Sequence, residues 1–268
     1  MFAEQSSESI KPARSGRRIL IMIVAAGLAL YLVVCGMLFA LQRSLIYYPQ
    51  PRSNTEGSVL MTLAVGAAQV HVSTYPHAGP AALIYFGGNA EDVSQDVSDL
   101  VAAFPNTAIY ALHYPGYGGS SGTPTQQAIF ADSLALFDRV KADHPSVIVV
   151  GRSLGSGVAV WTASQRSISR LVLVTPFDSI GDAAAPQYPY LPVRWLLLDR
   201  FESWKYAPKV TAPTRIIVAG DDELVPRSSS DRLRTRLRDG LVSYALVPGF
   251  GHNNIQDSPG YWALLSKE

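Results

Sequence analysis

Ser153 sits in Gly151-Arg152-Ser153-Leu154-Gly155, a G-x-S-x-G pattern, and Ser120 sits in a second one, Gly118-Gly119-Ser120-Ser121-Gly122. A serine hydroxyl attacks a carbonyl only when a neighbouring base activates it, so the pattern alone decides nothing. Context separates the two serines. Ser153 follows the strand-like run "SVIVV" with no loop between, and precedes the small, apolar "LGSGVAVWTASQ". A serine at such a strand-to-helix corner is held in a strained backbone conformation with its Oγ exposed. The first amides of the new helix then face the reacting centre. Ser120 lies in "YPGYGGSSGTPT", which has the Gly, Pro and Ser content of a loop. Ser153 is therefore the candidate nucleophile. The bland alternative is a glycine-rich turn that only packs a helix onto a strand.

A serine nucleophile needs a base, and the base needs an acid to hold its tautomer and stabilise its cation. Of the five histidines, His71 and His77 fall in or beside an early hairpin, His113 in a strand, and His144 after a helix. His252 comes directly after the last strand-like run, in "VPGFGHNN", and is the candidate base. The run "RIIVAGDDELVP" places Asp221, Asp222 and Glu223 at another strand end. Asp222, four residues before Pro226, is favoured, with Asp221 the close competitor, although acids here often only cap the next helix. The chain order Ser, Asp, His is one of those known to build a triad. An oxyanion hole would take the N–H of Leu154 and one from the glycine loop "YFGGNAED", either Asn89 or Gly88.

The elements that must position these groups alternate along the chain. Strand-like runs are "SVLMTLAV", "AQVHVSTY", "AALIYFGG", "TAIYALHY", "SVIVVG", "RLVLVT", "TRIIVAG" and "SYALVPG". The first two alternate polar and apolar residues, as a half-exposed antiparallel pair does, and the later ones are nearly continuous Val, Ile and Leu, as strands covered on both faces are. Helical patterns are expected at 91–104, 124–142, 153–166, 185–205, 227–239 and 254–266, the second capped by Thr123 with Pro124 at its first position. Together these predict an α/β fold with an eight-stranded, mostly parallel sheet flanked by helices. Asp132 and Asp138 are expected on a solvated helix face, and Asp178 and Asp182 as loop and cap residues.

Composition bounds the rest. The 268 residues are 48% apolar and only 16% charged. Ile19 to Leu41 contains no charge over 23 residues, and as a helix it would be about 34 Å long, enough to cross a hydrocarbon core of about 30 Å. It is too long for a typical signal-peptide core, and no A-x-A site follows, which favours an uncleaved anchor. Lys11, Arg14, Arg17 and Arg18 before the run outnumber Arg43 and Arg52 after it. That bias predicts a cytoplasmic N-terminus and a catalytic domain on the outer face. The expected divisions are 1–18 cytosolic tail, 19–41 transmembrane anchor, 42–56 linker and 57–268 folded domain. Tyr47 and Tyr48 fit the membrane interface or the domain surface equally. The single cysteine, Cys35, lies inside the apolar run, so the domain has no disulfide and no thiolate ligand. A net charge of +1 and no basic patch give no case for nucleic acid.

The runs "YFGGNAEDVS", "HYPGYGGSSG", "GRSLGSG", "TPFDSI", "AGDDELVP" and "GFGHNN", in that order, resemble the α/β-hydrolase superfamily over roughly 43–268. More narrowly they are similar to its membrane-anchored serine-aminopeptidase-like or prolyl-oligopeptidase-like group. Many relatives carry His-Gly where this chain has Gly87-Gly88. The resemblance implies Ser153 as nucleophile, Asp222 as acid and His252 as base. It also implies Leu154 with the Gly88–Asn89 turn as the oxyanion hole, and no metal or cofactor. It places a short cap at about 176–213, room for one core helix and a small lid. Tyr188, Tyr190, Trp195 and Leu196 in that cap either line an acyl pocket or face the bilayer, or merely belong to the core helix and its flanking loop. The expected partner is a small-molecule or lipid-like acyl substrate, an ester or thioester. A peptidase of the same fold and a non-catalytic membrane-anchored binding module are the alternatives.

Overall fold

The structure is a computed structural model and describes residues 14–267. The expected cytosolic tail lies outside them up to residue 13, including Lys11. The chain divides into two units, Met1–Leu41 and Gln42–Glu268. The first is built on a helix, α1 (Arg14–Ile46), whose last turn belongs to the second unit. Gly16–Ile46 of this helix is long and apolar enough to cross a membrane, a length that suits an anchor or a signal sequence.

The second unit is the α/β domain. Its strands are β1 (Val59–Val65), β2 (Ala68–Tyr75), β3 (Ala81–Phe86), β4 (Ala108–Leu112), β5 (Ser146–Arg152), β6 (Arg170–Val174), β7 (Thr214–Ala219) and β8 (Val242–Val247). They form one eight-stranded sheet in the order β1-β2-β4-β3-β5-β6-β7-β8. β2 pairs antiparallel with both β1 and β4, and every other pairing is parallel. The eight runs read from the sequence are these strands. β1, at the edge, is largely exposed, whereas β5 in the middle is largely buried.

Side chains alternate across the sheet, so each strand feeds two cores. Ile84, Phe86, Val147 and Val149 pack on one face with Ile129 and Leu136 of α3 (Gln126–Asp143), Val158 of α4 (Leu154–Gln165) and Leu233 of α8 (Arg227–Arg234). Leu83, Tyr85, Val150 and Ile217 pack on the other with Val97 and Leu100 of α2 (Val97–Ala103) and Tyr261 and Leu265 of α9 (Tyr261–Ser266).

Several local expectations change, among them the bounds of three helices, which are shorter than expected. The cap of α3 is Thr125, whose Oγ1 accepts from Ala128 N at 3.1 Å, and Pro124 precedes it. The helix expected over 185–205 is absent. In its place are α5 (Ile180–Ala184), α6 (Val193–Leu196) and α7 (Ser203–Tyr206), short pieces with turns between. Pro186, Pro189 and Pro192 each lack the N–H that a helix interior needs and crowd the turn before them, which prevents one continuous helix. Asp132 is buried on α3 rather than solvated, and burial pushes its carboxyl up to about 6, whereas Asp138 is exposed and paired with Arg166. The segment 42–56, expected as a linker, is mostly exposed and is tied to the domain at several points. Tyr47 is buried in the core, Gly118 N donates to Gln50 O at 2.8 Å, and Arg52 Nε to Ser73 Oγ at 3.0 Å.

Candidate active site

β5 ends at Arg152 and α4 begins at Leu154, so one residue, Ser153, makes the whole turn. Its φ of 50° and ψ of −117° lie where a residue with a side chain is strained, at a cost of about 1–3 kcal/mol. Neighbours hold it there: Ser153 N donates to Val174 O at 2.9 Å, and Ser153 O accepts from Ser156 Oγ at 2.6 Å. The flanking glycines are required by contact. A Cβ on Gly155 would fall 1.9 Å from Phe86 O, and one on Gly151 2.3 Å from Gly155 O. α4 can therefore start directly against the end of β3 only with these residues bare.

The corner brings Ser153 Oγ to 2.7 Å from His252 Nε2. His252 Nδ1 lies 2.9 Å and 3.1 Å from the two oxygens of Asp222. A carboxylate only accepts, so Nδ1 carries the imidazole proton and Nε2 is left to accept from the hydroxyl. Both side chains are almost wholly shielded from water, His252 5% and Asp222 2% exposed. Asp222 Oδ1 also accepts from Val225 N at 2.7 Å and Leu224 N at 3.0 Å, which fixes the carboxylate against rotation. Asp221, the competitor, is exposed, and its N–H goes to Phe250 O. Glu223 Oε2 accepts from His252 N at 3.2 Å and steadies the histidine loop.

Gly88 and Asn89 lie beside the serine, and a Cβ on Gly88 would sit 3.7 Å from Ser153 Cβ. The Gly88 N–H is already donated to Glu91 Oε2 at 2.9 Å, so it is not a free oxyanion donor. The Asn89 N–H has no acceptor among the described residues. Asn89 itself is pinned: its Nδ2 donates to Ile46 O at 2.9 Å, and its carbonyl accepts from Tyr117 Oη at 2.6 Å and Tyr48 N at 3.0 Å. Leu154, as the first residue of α4, has an N–H with no partner inside the helix.

Sequence reasoning missed the support beneath this loop. Glu91 and Arg152 form an ion pair at 2.6 Å with side chains only 12% and 11% exposed. Glu91 also accepts from Tyr85 Oη at 2.6 Å, while Arg152 Nη2 donates to His252 O at 3.3 Å. Burial opposes ionisation of Glu91, but Arg152, Tyr85 and the Gly88 amide outweigh it and hold the carboxyl below its usual range. The neighbouring Asp96 is pushed up to about 9, by burial first and then by the charge of Glu91, so it is protonated at neutral pH. Arg152 is visible within the G-x-S-x-G pattern and Glu91 within the glycine loop. Nothing local joins residues so far apart in sequence.

The second G-x-S-x-G is structural. Ser120 is buried, donates to His113 O at 2.9 Å and accepts from His71 N at 2.8 Å. Burial lowers His113 to about 4, so this imidazole is neutral, and its Nε2 meets Ser73 Oγ at 2.8 Å.

Ser153 and His252 open on a cleft of about 320 Å³ whose wall includes Gln50, Gln95, Asp96, Asn253 and Gln256. A larger cavity of about 580 Å³ touches none of these catalytic candidates, and two of its three arginines are paired, Arg232 with Asp178 and Arg194 with Asp182.

A sheet in this order with helices on both faces is the α/β hydrolase fold, and the chain belongs to that family, matching it over residues 77–212. It is similar to the uncharacterized protein Rv2307c of Mycobacterium tuberculosis, 33% identical over 254 residues, 88% of this chain and 86% of that one. It is also similar to alpha/beta hydrolase domain-containing protein 17B of Homo sapiens, 30% identical over 180 residues, 65% of this chain and 61% of that one. In fold it resembles the Pyrococcus furiosus esterase Pf2001, with a TM-score of 0.65 over 81% of this chain and 95% of that one at 16% identity.

Proposed function

We propose that the chain is a membrane-anchored serine hydrolase that cleaves an acyl ester or thioester through an acyl-enzyme on Ser153. The observation that carries this is the unbroken hydrogen-bond chain from Ser153 Oγ through His252 to Asp222, built on a strained corner. As Oγ attacks the acyl carbonyl, His252 Nε2 takes its proton, and the resulting imidazolium is stabilised by Asp222. The carbonyl oxygen, now negative, is held by the N–H groups of Leu154 and Asn89. Collapse of the tetrahedral species expels the alcohol or thiol, which receives the proton from Nε2. Water, deprotonated by the same nitrogen, then releases the acid and restores Ser153. No step calls for a metal or organic cofactor.

The amide-rich wall of the cleft suits a polar portion of the substrate next to the carbonyl better than a long alkyl chain lying in the cleft. In this reading residues 19–41 are the anchor, and the excess of positive charge before them supports a cytoplasmic N-terminus with the catalytic domain on the outer face. A reporter fused to the C-terminus that scored cytoplasmic would overturn that orientation.

The test is labelling of the full chain with a fluorophosphonate probe, comparing wild type with Ser153→Ala and Ser120→Ala. Loss of labelling in Ser153→Ala alone is expected. A folded wild type that does not label would remove the serine mechanism.

A further inference from the structure

The cap exposes large apolar side chains where a soluble domain would shield them. Tyr190 is 88% exposed, Trp195 85%, Leu198 53% and Tyr188 51%. All four fall within eleven residues, so they form a local patch rather than scattered surface residues. The three prolines break this segment into turns and the single-turn α6, from which these side chains project outward.

The segment is also fastened to one particular place in the chain. Gln42 Nε2 donates to Leu196 O at 3.1 Å, and Leu198 N donates back to Gln42 Oε1 at 2.7 Å. Arg43 Nε pairs with Asp199 at 3.0 Å. Gln42 is the residue directly after the uncharged run that ends at Leu41. If that run fills the hydrocarbon layer, residues 42 and 43 lie at the headgroup boundary, and the backbone at 196–199 lies there with them. Trp195 is one residue from that staple. Tryptophan and tyrosine, with an apolar ring and a polar tip, favour this depth, and the exposed Arg200 supplies a cation that suits a lipid phosphate, beside Arg194, which is exposed and paired with Asp182.

We infer that the cap segment 188–198 is a membrane seat, with Tyr190 and Trp195 inserted among lipid headgroups of the bilayer that holds α1. The inference rests on the anchor assignment and not on the hydrolase chemistry. The seat also reaches the site, because Gln187 Nε2 donates to Leu224 O at 3.0 Å, on the loop that carries Asp222. A substrate held at the membrane surface thus meets the domain on the side where the carboxylate loop is braced.

The experiment uses the full chain with Cys35→Ala, reconstituted in nanodiscs of phosphatidylcholine and phosphatidylglycerol. Single cysteines are introduced as Trp195→Cys, Tyr190→Cys and Asp239→Cys and labelled with an environment-sensitive fluorophore. Asp239 is exposed and lies just before β8, at the N-terminal ends of the parallel strands, whereas the cap follows the C-terminal end of β6. Labels at 190 and 195 are expected to shift to the blue and to be quenched several-fold more than the label at 239 by lipids carrying a nitroxide near the headgroup. Equal quenching at all three sites would overturn the seat. So would shielding that appears only in discs holding two copies, which would make the patch a contact between chains, and so would a chain that fails to remain in the discs. Fluorophosphonate labelling of Ser153 in the same samples reads the hydrolase assignment separately, so either can fail alone.

Discussion

Removing either member of the Glu91–Arg152 pair should damage the protein more than removing both. The pair is close, at 2.6 Å, and neither side chain is more than 12% exposed, so each charge relies on the other for the solvation it has lost. Truncating one partner of such a pair costs about 3–5 kcal/mol, because the survivor remains buried and uncompensated. Glu91→Ala would in addition strip an acceptor from Tyr85 Oη and from Gly88 N. Arg152→Ala would leave Glu91 facing Asp96 without its cation. In the double variant no charge is stranded, so the singles should overshoot the double, which requires a coupling of at least about 3 kcal/mol. Urea unfolding of the full chain in detergent, followed by tryptophan fluorescence, reads this directly. At a slope of about 2–3 kcal/mol per molar, each single variant should shift the midpoint down by about 1–2 M. The rate of fluorophosphonate labelling should also fall about 10- to 100-fold in Glu91→Ala, since the loop carrying Asn89 loses its fastening. Simple additivity, with a coupling below about 0.5 kcal/mol, would refute the argument that the pair is a desolvated unit.

Three other outcomes follow from the geometry. Asp96 keeps its proton in the folded chain up to about pH 9, whereas an unfolded aspartate loses it near about 3.9, so this group makes stability fall as pH rises between those values. Asp96→Asn retains a donor toward Glu91 without the titration, and its stability relative to wild type should climb across that window; parallel pH–stability curves would contradict it. Gly155→Ala would set a Cβ 1.9 Å from Phe86 O, and thermal unfolding should show a loss of at least about 3 kcal/mol, or no folded protein. Asp222→Asn should keep the fold and slow probe labelling by about 10⁴, because an amide no longer holds the imidazole in the productive tautomer.

The sequence carried the architecture where the signal is local. Runs of Val, Ile and Leu between turn residues mark each strand, and Ser153 was separable from Ser120 because a corner and a loop differ in composition. Asp222 was separable from Asp221 only by its spacing to Pro226, since neighbours at a strand end otherwise differ only in which one the turn aims inward. The cap defeated a helix pattern because three prolines outweigh apolar spacing. Asp132 read as solvated because helix periodicity cannot tell which face a neighbouring helix will cover. The Glu91–Arg152 pair joins residues 61 apart in sequence, and such a contact exists only after β3 and β5 have paired.

The grip of Ile46 and Tyr48 on Asn89 has a practical consequence for anyone who wants this enzyme in water. Cutting the chain at residue 57, where the first strand approaches, would discard the carbonyl and the amide that orient the Asn89 turn, along with the buried ring of Tyr47. The shortened protein would keep its sheet and the Ser153, His252 and Asp222 side chains, yet the Asn89 amide proposed to bind the oxyanion would be free to swing. A soluble form that behaves as a poor catalyst would then reveal the position of the scissors, not the worth of the triad. Trimming just after Leu41 removes the grease and keeps the hinge pin.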